Sequence, residues 1–343
     1  MSVASQPVGL AVVGAGSWGR NHVRSLATMS GVDLRWVCDQ SDAVRASLAQ
    51  NHPGPTFTPD LAQVLADPAV RGVVVATHAP SHAAVARQVL EAGKDVLVEK
   101  PLALRPEDAA DLVERADRGG RILMVGHLLL HHPVVEALKD LVDSGELGEV
   151  LYLVCRRLNL GVVRRDENAW WSLAPHDLSI ARHLLGADPV AVSATGGTFL
   201  QREQGIEDVV FGTVRFAGDR LAHVHVSWLD PHKTRMLTVV GSKKMAVFDD
   251  TSGDQKLTVY DKGVEPPASL RYDEGVRVRT GEIRIPAIRM SEPLRREHEA
   301  FVRAIETREP PLGDGHSGLA VVRALDAGSR SLAAGGAEVE IDL

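Results

Sequence analysis

Two hydrophobic periods alternate along the first third of the chain. Residues 9–13, 72–76, 95–98 and 122–125 are short runs, apolar almost throughout. Such runs read as strands buried on both faces of a parallel sheet. Residues 33–38 form a further strand that ends in Asp39. Between the strands, residues 21–29, 42–50, 61–66, 81–92 and 106–118 repeat at helical spacing, punctuated by Asp67-Pro68, Gly93 and Gly119-Gly120. A βα rhythm of this kind predicts a doubly wound parallel sheet.

Beyond residue 125 the rhythm changes. A helix is predicted over 132–144 with Pro133 in its first turn, a strand over 149–158, and a helix over 177–185 closed by Gly186. Pro175-His176-Asp177 falls just before that helix, so His176 is expected to project from a loop. Strand patterns follow at 190–195, 208–216, 220–228, 235–240, 245–249 and 256–260. Ala222, Val224, Val226 and Trp228 alternate with His223, His225 and Ser227, which gives the two faces of one strand different chemistry. Two helices close the pattern, 294–305 (apolar stripe Leu294, His298, Phe301, Val302, Ile305) and 317–332. Strands in succession followed by helices predict a large, open, mostly antiparallel sheet with helices on one face. The fold class is therefore α/β, with a Rossmann-type domain over 1–124 and an α+β domain over 125–343. The sheet's other face needs a cover, and a second subunit is the simplest one, so a homo-oligomer (dimer or tetramer) is expected.

Composition removes several function classes. The 343 residues are 44% hydrophobic and 24% charged, with a net charge of −7, which argues against a nucleic-acid binder. The two cysteines, Cys38 and Cys155, match no zinc or redox spacing, and a reduced, cytoplasmic setting fits. There is no run of 18 apolar residues, and the N-terminus pairs no basic stretch with an apolar one; neither a membrane span nor a leader is expected.

The candidate chemistry starts at Gly14-x-Gly16-x-x-Gly19, between the first strand and the first helix. Gly14 permits the bend, Gly16 lets backbone N–H groups reach a pyrophosphate, and Gly19 lets helix and strand pack closely. Asp39 lies 20 residues after Gly19, where an acid receives a ribose 2′-hydroxyl. A 2′-phosphate would meet a like charge there, and Gln40-Ser41 adds no arginine, so NAD is favoured over NADP. Lys100, in Glu99-Lys100-Pro101, ends a parallel strand and can stabilise an alkoxide or take its proton. His176 has the right kind of group for the proton that must leave a hydroxyl when its carbon gives up hydride. Arg156, Arg157, Arg164 and Arg165, next to Trp170 and Trp171, offer donors for a phosphate or carboxylate and flat faces for a sugar or base. His131-His132 lacks a carboxylate at ligand spacing, so no metal is expected.

Taken together, these stretches resemble the Gfo/Idh/MocA family of NAD(P)-dependent oxidoreductases along essentially the whole chain. The resemblance rests on the residue 14–19 turn, on residues 93–102 ending in Glu99-Lys100-Pro101-Leu102, on Val125-Gly126-His127 and on Pro175-His176-Asp177. Residues 157–161, 171–178, 206–208 and 227–231 look like the branch that acts on nucleotide-linked or amino sugars, which includes enzymes oxidising UDP-N-acetylglucosamine at C3. The resemblance implies cofactor contacts from Gly14, Gly16, Ser17, Trp18, Gly19, Asp39, Thr77, His82, Glu99 and Lys100. It implies substrate contacts from His127, Arg157, Asn159, Arg164, Trp171, His176 and Asp177. Lys100 and His176 would then flank the reacting carbinol. Many members carry Asp four residues before this histidine, where this chain has Ser172, which shifts proton chemistry towards Lys100. His131-His132 also departs from a frequent Tyr-Asn. The implied reaction is oxidation of a sugar carbinol, C3 of a UDP-linked N-acetyl sugar, to a keto sugar for polysaccharide or amino-sugar biosynthesis; the alternatives are an inositol or free-sugar dehydrogenase of the same family, and a dinucleotide-binding regulator without chemistry.

Overall fold

The computed structural model describes residues 6–265 and 277–342; part of the N-terminal stretch read for a leader lies outside them. In chain order the elements are β1 (Val8–Val13), α1 (Gly19–Ala27), β2 (Val32–Cys38), α2 (Asp42–Asn51), β3 (Thr56–Thr58), α3 (Leu61–Ala66), β4 (Gly72–Val75), α4 (His82–Glu91), β5 (Asp95–Glu99), α5 (Pro106–Gly119) and β6 (Leu123–Gly126). They continue with α6 (Pro133–Asp143), β7 (Val150–Leu160), α7 (Ala169–Leu185), β8 (Pro189–Gly197), β9 (Val209–Phe216), β10 (Arg220–Ser227), β11 (Leu229–Gly241), β12 (Met245–Asp249), β13 (Leu257–Glu265), β14 (Arg277–Arg284), α8 (Pro293–Thr307), α9 (Gly315–Ala333) and β15 (Val339–Glu340). The chain packs as two units. One takes the residues up to 131 together with 291–322; the other takes 132–290 and the residues from 323 onward.

The first unit is built on a six-stranded sheet of order β3-β2-β1-β4-β5-β6, parallel at every pairing. β1 and β4 are buried at every residue, as a sheet covered on both faces requires. The strand order reverses between β1 and β4, the place where such sheets bind ligands beyond their carboxyl ends. Pattern reading missed β3, whose three residues sit between Pro55 and Pro59, too short to show a period. Helix α8 joins this unit, although a boundary at 124/125 would give it to the other. Its Phe301 and Ile305 share a core with Leu10 and Leu26. Gly72 makes room for it: a Cβ there would lie 2.7 Å from Ile305 and 3.1 Å from Phe301.

The second unit has a nine-stranded sheet of order β14-β13-β12-β11-β7-β10-β9-β8-β15. β7 and β10 pair in parallel, and the other pairings described are antiparallel. Helix α7 covers one face. Its Trp170 is fully buried, and a Cβ on Gly212 of β9 would come within 2.8 Å of the indole ring. On the opposite face Tyr152, Phe211 and Leu221 are exposed. Among the described residues no helix is long and apolar enough to cross a membrane, and no cluster of three or more His, Cys, Asp or Glu could hold a metal ion.

Candidate active site

In the first unit the glycine turn is shaped by close contacts. Gly14 has a φ of +84°, a conformation that costs glycine nothing. A Cβ on Gly19 would lie 1.9 Å from the Gly14 carbonyl oxygen, so α1 and β1 approach as closely as only glycine allows. At Gly16 a Cβ would meet nothing within 4 Å; the turn borders open space. The first turn of α1 carries no acidic residue, and helix N-termini favour anions. At the end of β2, Asp39 Oδ2 accepts the Ala15 N–H at 2.7 Å and Oδ1 accepts the Ser41 N–H at 2.8 Å. The carboxylate thus braces the turn, and each oxygen keeps a lone pair for a hydroxyl. Arg45 is nearby, but its guanidinium goes to the Asp39 carbonyl and to Asp42. These residues fit a dinucleotide. Ser17 and Trp18 of the turn are exposed.

The ends of β4 and β5 are tied together. The Thr77 hydroxyl accepts from Ser81 Oγ at 2.8 Å. His82 is buried, with Nδ1 2.8 Å from the Pro101 carbonyl and Nε2 3.1 Å from the Thr77 carbonyl. Its ring is thus a brace between two loops. Lys100 is half-buried and its peptide to Pro101 is cis. The Glu99 carboxylate points back into the protein. Oε1 accepts the Trp18 indole at 2.6 Å and lies 2.9 Å from His22 Nε2, while Oε2 accepts the Lys100 amide at 3.1 Å. His127, just past β6, is buried.

In the second unit the expected loop around His176 is helix. Asn168 caps α7, its Oδ1 accepting the Trp171 N–H at 3.0 Å, so the helix begins eight residues before position 177. Pro175 lies inside it; the missing N–H costs one bond back to Trp171 but does not break the helix. His176 is therefore mid-helix, and Ser172 lies one turn back on the same face. Asp177 takes Arg157 in a two-pronged bond, Nε to Oδ2 at 3.1 Å and Nη2 to Oδ1 at 2.9 Å. Burial works against the Arg157 charge, but the Asp177 carboxylate outweighs it and holds the guanidinium above its usual range. Burial, then Asp177, also pushes the Cys155 thiol well up.

The four arginines do not form one patch. Arg157 faces α7, whereas its neighbour Arg156 is exposed, as alternation along β7 demands. Arg164 is exposed, 3.6 Å from Glu167, and its carbonyl accepts from Gln201; Arg165 is exposed and Asn159 half-buried. The Trp171 indole donates to Ser329 Oγ at 2.8 Å. His132 caps α6, its Nδ1 accepting the Val134 N–H at 3.2 Å, a role an asparagine also fills. Asp208 is fully buried and accepts from Trp228 Nε1 at 2.6 Å, Phe199 N at 2.7 Å and Leu200 N at 2.8 Å. The 206–208 and 227–231 stretches meet there and shape loops. Sequence reading overlooked His22, Ser25 and Glu297, and took His298 for one member of an apolar stripe. The available signal was a histidine at core spacing on a helix.

Comparison with known proteins agrees with this architecture. Residues 8–127 match the family described as "Oxidoreductase family, NAD-binding Rossmann fold", and residues 135–247 match the GFO/IDH/MocA C-terminal domain. Over 155 residues the chain is 37% identical to an inositol 2-dehydrogenase of Mycolicibacterium smegmatis; the match spans 45% of each protein's length. Among solved structures, UDP-N-acetylglucosamine 3-dehydrogenase GnnA from Acidithiobacillus ferrooxidans superposes with a TM-score of 0.80 at 25% identity, covering 96% of this chain and 99% of that one. GenD2 from gentamicin A biosynthesis, in complex with NAD, superposes with a TM-score of 0.82 at 28% identity, covering 98% of this chain and 97% of that one. The chain belongs to the Gfo/Idh/MocA family of oxidoreductases with an NAD-binding Rossmann domain.

Proposed function

We propose that the protein oxidises a secondary alcohol on an uncharged polyhydroxylated ring, a cyclitol or free sugar, with NAD as hydride acceptor. The observation that carries this is the first unit's strand-end arrangement: a glycine turn bordering open space, Asp39 at the end of β2 and Lys100 at the end of β5. Bound NAD supplies the ring that takes hydride. The backbone N–H groups of residues 16–19 would hold its pyrophosphate, and Asp39 would accept from the adenosine ribose, which favours NAD over NADP. Lys100 takes the hydroxyl proton as hydride leaves. On α7 of the second unit, position 172 is serine and Asp177 is engaged with Arg157. Lys100, at the end of β5, is assigned the proton chemistry.

Arg157's two-pronged bond to Asp177 compensates its charge within the second unit, which favours an uncharged ring. The similarity to inositol 2-dehydrogenase supports the same reading. A nucleotide-linked N-acetyl sugar is the second reading, favoured by the similarity to UDP-N-acetylglucosamine 3-dehydrogenase and by exposed Arg164 and Arg165. NADH formation with myo-inositol, scyllo-inositol, glucose and UDP-N-acetylglucosamine separates them. Turnover on the UDP sugar alone overturns the first reading. Lys100→Ala is expected to lower kcat by about a hundredfold to ten-thousandfold with NAD affinity largely kept; a kcat within threefold of wild type (roughly 0.7 kcal/mol) removes Lys100 from the chemistry.

A further inference from the structure

A buried run of side chains leads away from Lys100 within the first unit. It starts at Glu99, which holds the Trp18 indole and the Lys100 amide, and continues through His22. His22 Nδ1 is 2.8 Å from His298 Nε2, and His298 Nδ1 is 3.0 Å from Ser25 Oγ. Both histidines are fully buried.

Proton positions along this run follow from chemistry. Burial opposes a charge on Glu99, but donation from His22 and Trp18 and the charge of Lys100 outweigh it and hold the carboxyl below its usual range. An ionised carboxylate only accepts, so His22 Nε2 carries a hydrogen. Burial, then the charges of His22, His131 and Arg24, keeps His298 far below its usual range and uncharged. With its hydrogen on Nε2, donation runs one way, from Ser25 to His298 to His22 to Glu99. With one more proton, His22 donates from both nitrogens and His298 donates from Nδ1 to Ser25. Each contact survives in both states. Behind the run stands Glu297, fully buried, with neither carboxyl oxygen hydrogen-bonded among the described residues. Burial and the charge of Glu99 push its carboxyl well up. The titratable and charged groups around the two histidines are thus Glu99, Lys100, Arg24, His131 and Glu297.

We propose that His22 and His298 are positioning residues for the Lys100 segment: they brace the Glu99 carboxylate, which ties Trp18 of the dinucleotide turn to the Lys100 amide. Occupation of the turn and placement of the lysine are then one event. The inference rests on the reading of Lys100 as the proton-handling group.

The test begins without dinucleotide. The five tryptophans give five indole N–H signals in an 15N-labelled sample, and Trp18→Phe assigns one of them. Glu99→Gln and His22→Leu are expected to move the Trp18 signal, because its carboxylate acceptor is lost or released. His22→Gln, whose amide N–H can still reach Glu99, is expected to leave it near the wild-type position. In the active enzyme, Glu99→Gln is expected to weaken NAD binding about tenfold or more. It is also expected to move the acid limb of the kcat/KM profile to lower pH by about one unit or more, because removing a neighbouring negative charge makes Lys100 easier to deprotonate. An unmoved Trp18 signal in Glu99→Gln overturns the proposal, as does a His22→Gln signal displaced as far as that of His22→Leu. If His22→Leu does not fold, Glu99→Gln and His22→Gln alone decide. The indole readout needs no substrate, so a protein that oxidises none of the alcohols tested yet shows the expected shifts would overturn the dehydrogenase reading and leave the brace standing.

Discussion

The two units place their candidate chemistry in different ways. In the first, Gly16, Asp39 and Lys100 stand at the carboxyl ends of parallel strands, where backbone geometry positions them. In the second, His176 rides in the middle of a 17-residue helix, next to Asp177, which a buried arginine from β7 holds in place. A strand-end site is fixed by topology and tolerates change in its side chains. A helix-borne site depends on individual side-chain pairs distant in sequence. The sharpest way to break the comparison is therefore Arg157→Ala, which leaves Asp177 buried without its cation. The loss is expected to be about 3–5 kcal/mol in urea unfolding of the second unit, with much of it recovered in the double variant Arg157→Leu/Asp177→Leu, where no unpaired charge remains. The exposed Arg330–Asp326 pair, one turn apart on α9, is the control, with an expected effect of about 0.5 kcal/mol or less. Equal losses at the two sites would mean that the buried pair is not what organises the second unit.

The first unit makes the converse prediction, that a site made by backbone can lose its ligand without losing its fold. Gly16→Val adds a side chain where nothing lies within 4 Å, so thermal stability is expected to stay near wild type. The same side chain occupies the space bordering the turn, and NAD affinity is expected to fall about a hundredfold or more, close to 2.7 kcal/mol. Gly19→Ala should behave oppositely, because its Cβ meets the Gly14 carbonyl at 1.9 Å and the fold itself must shift. Calorimetric titration with NAD, paired with thermal unfolding, reads both. If Gly16→Val binds NAD normally, the open space is not the dinucleotide's.

The same contrast accounts for what could be read in advance. Gly14-x-Gly16-x-x-Gly19, Asp39 and Lys100 are legible because a parallel sheet converts sequence order directly into position at one edge. The mostly antiparallel character of the second sheet is legible from alternation such as Ala222, Val224 and Val226 against His223 and His225. Helix α7 is only half legible, because Pro175 looks like a helix boundary whereas Asn168 caps the helix seven residues earlier. Arg156 and Arg157 looked like a cluster because adjacency in sequence hides the fact that a strand sends neighbours to opposite faces. The assignment of α8 to the first unit depends on the room left at Gly72 for Phe301 and Ile305, a tertiary fact without a local signature. His22 and His298 are 276 residues apart, and no periodicity connects them.

Glu297 offers the smallest and most diagnostic effect, because it tests whether the first unit's interior carries a neutral acid. Its carboxyl is raised well above the usual value in the folded protein, by burial first and by Glu99 second. The folded state thus keeps a proton that the unfolded chain releases above about pH 4.3. Stability from this group is fully present below that value and declines as pH rises towards the folded value, at most by about 1.4 kcal/mol for each pH unit. Glu297→Gln removes the titration and keeps the shape. Its stability relative to wild type is expected to rise between pH 5 and pH 6 by up to about 1.4 kcal/mol. Groups common to both proteins cancel in the difference; these include His298, whose lowered value acts in the opposite direction. A flat difference across that interval would mean that Glu297 is ionised in the folded state, and a second buried anion beside Glu99 would then require a cation that the arrangement of His22, His298 and Arg24 has to supply.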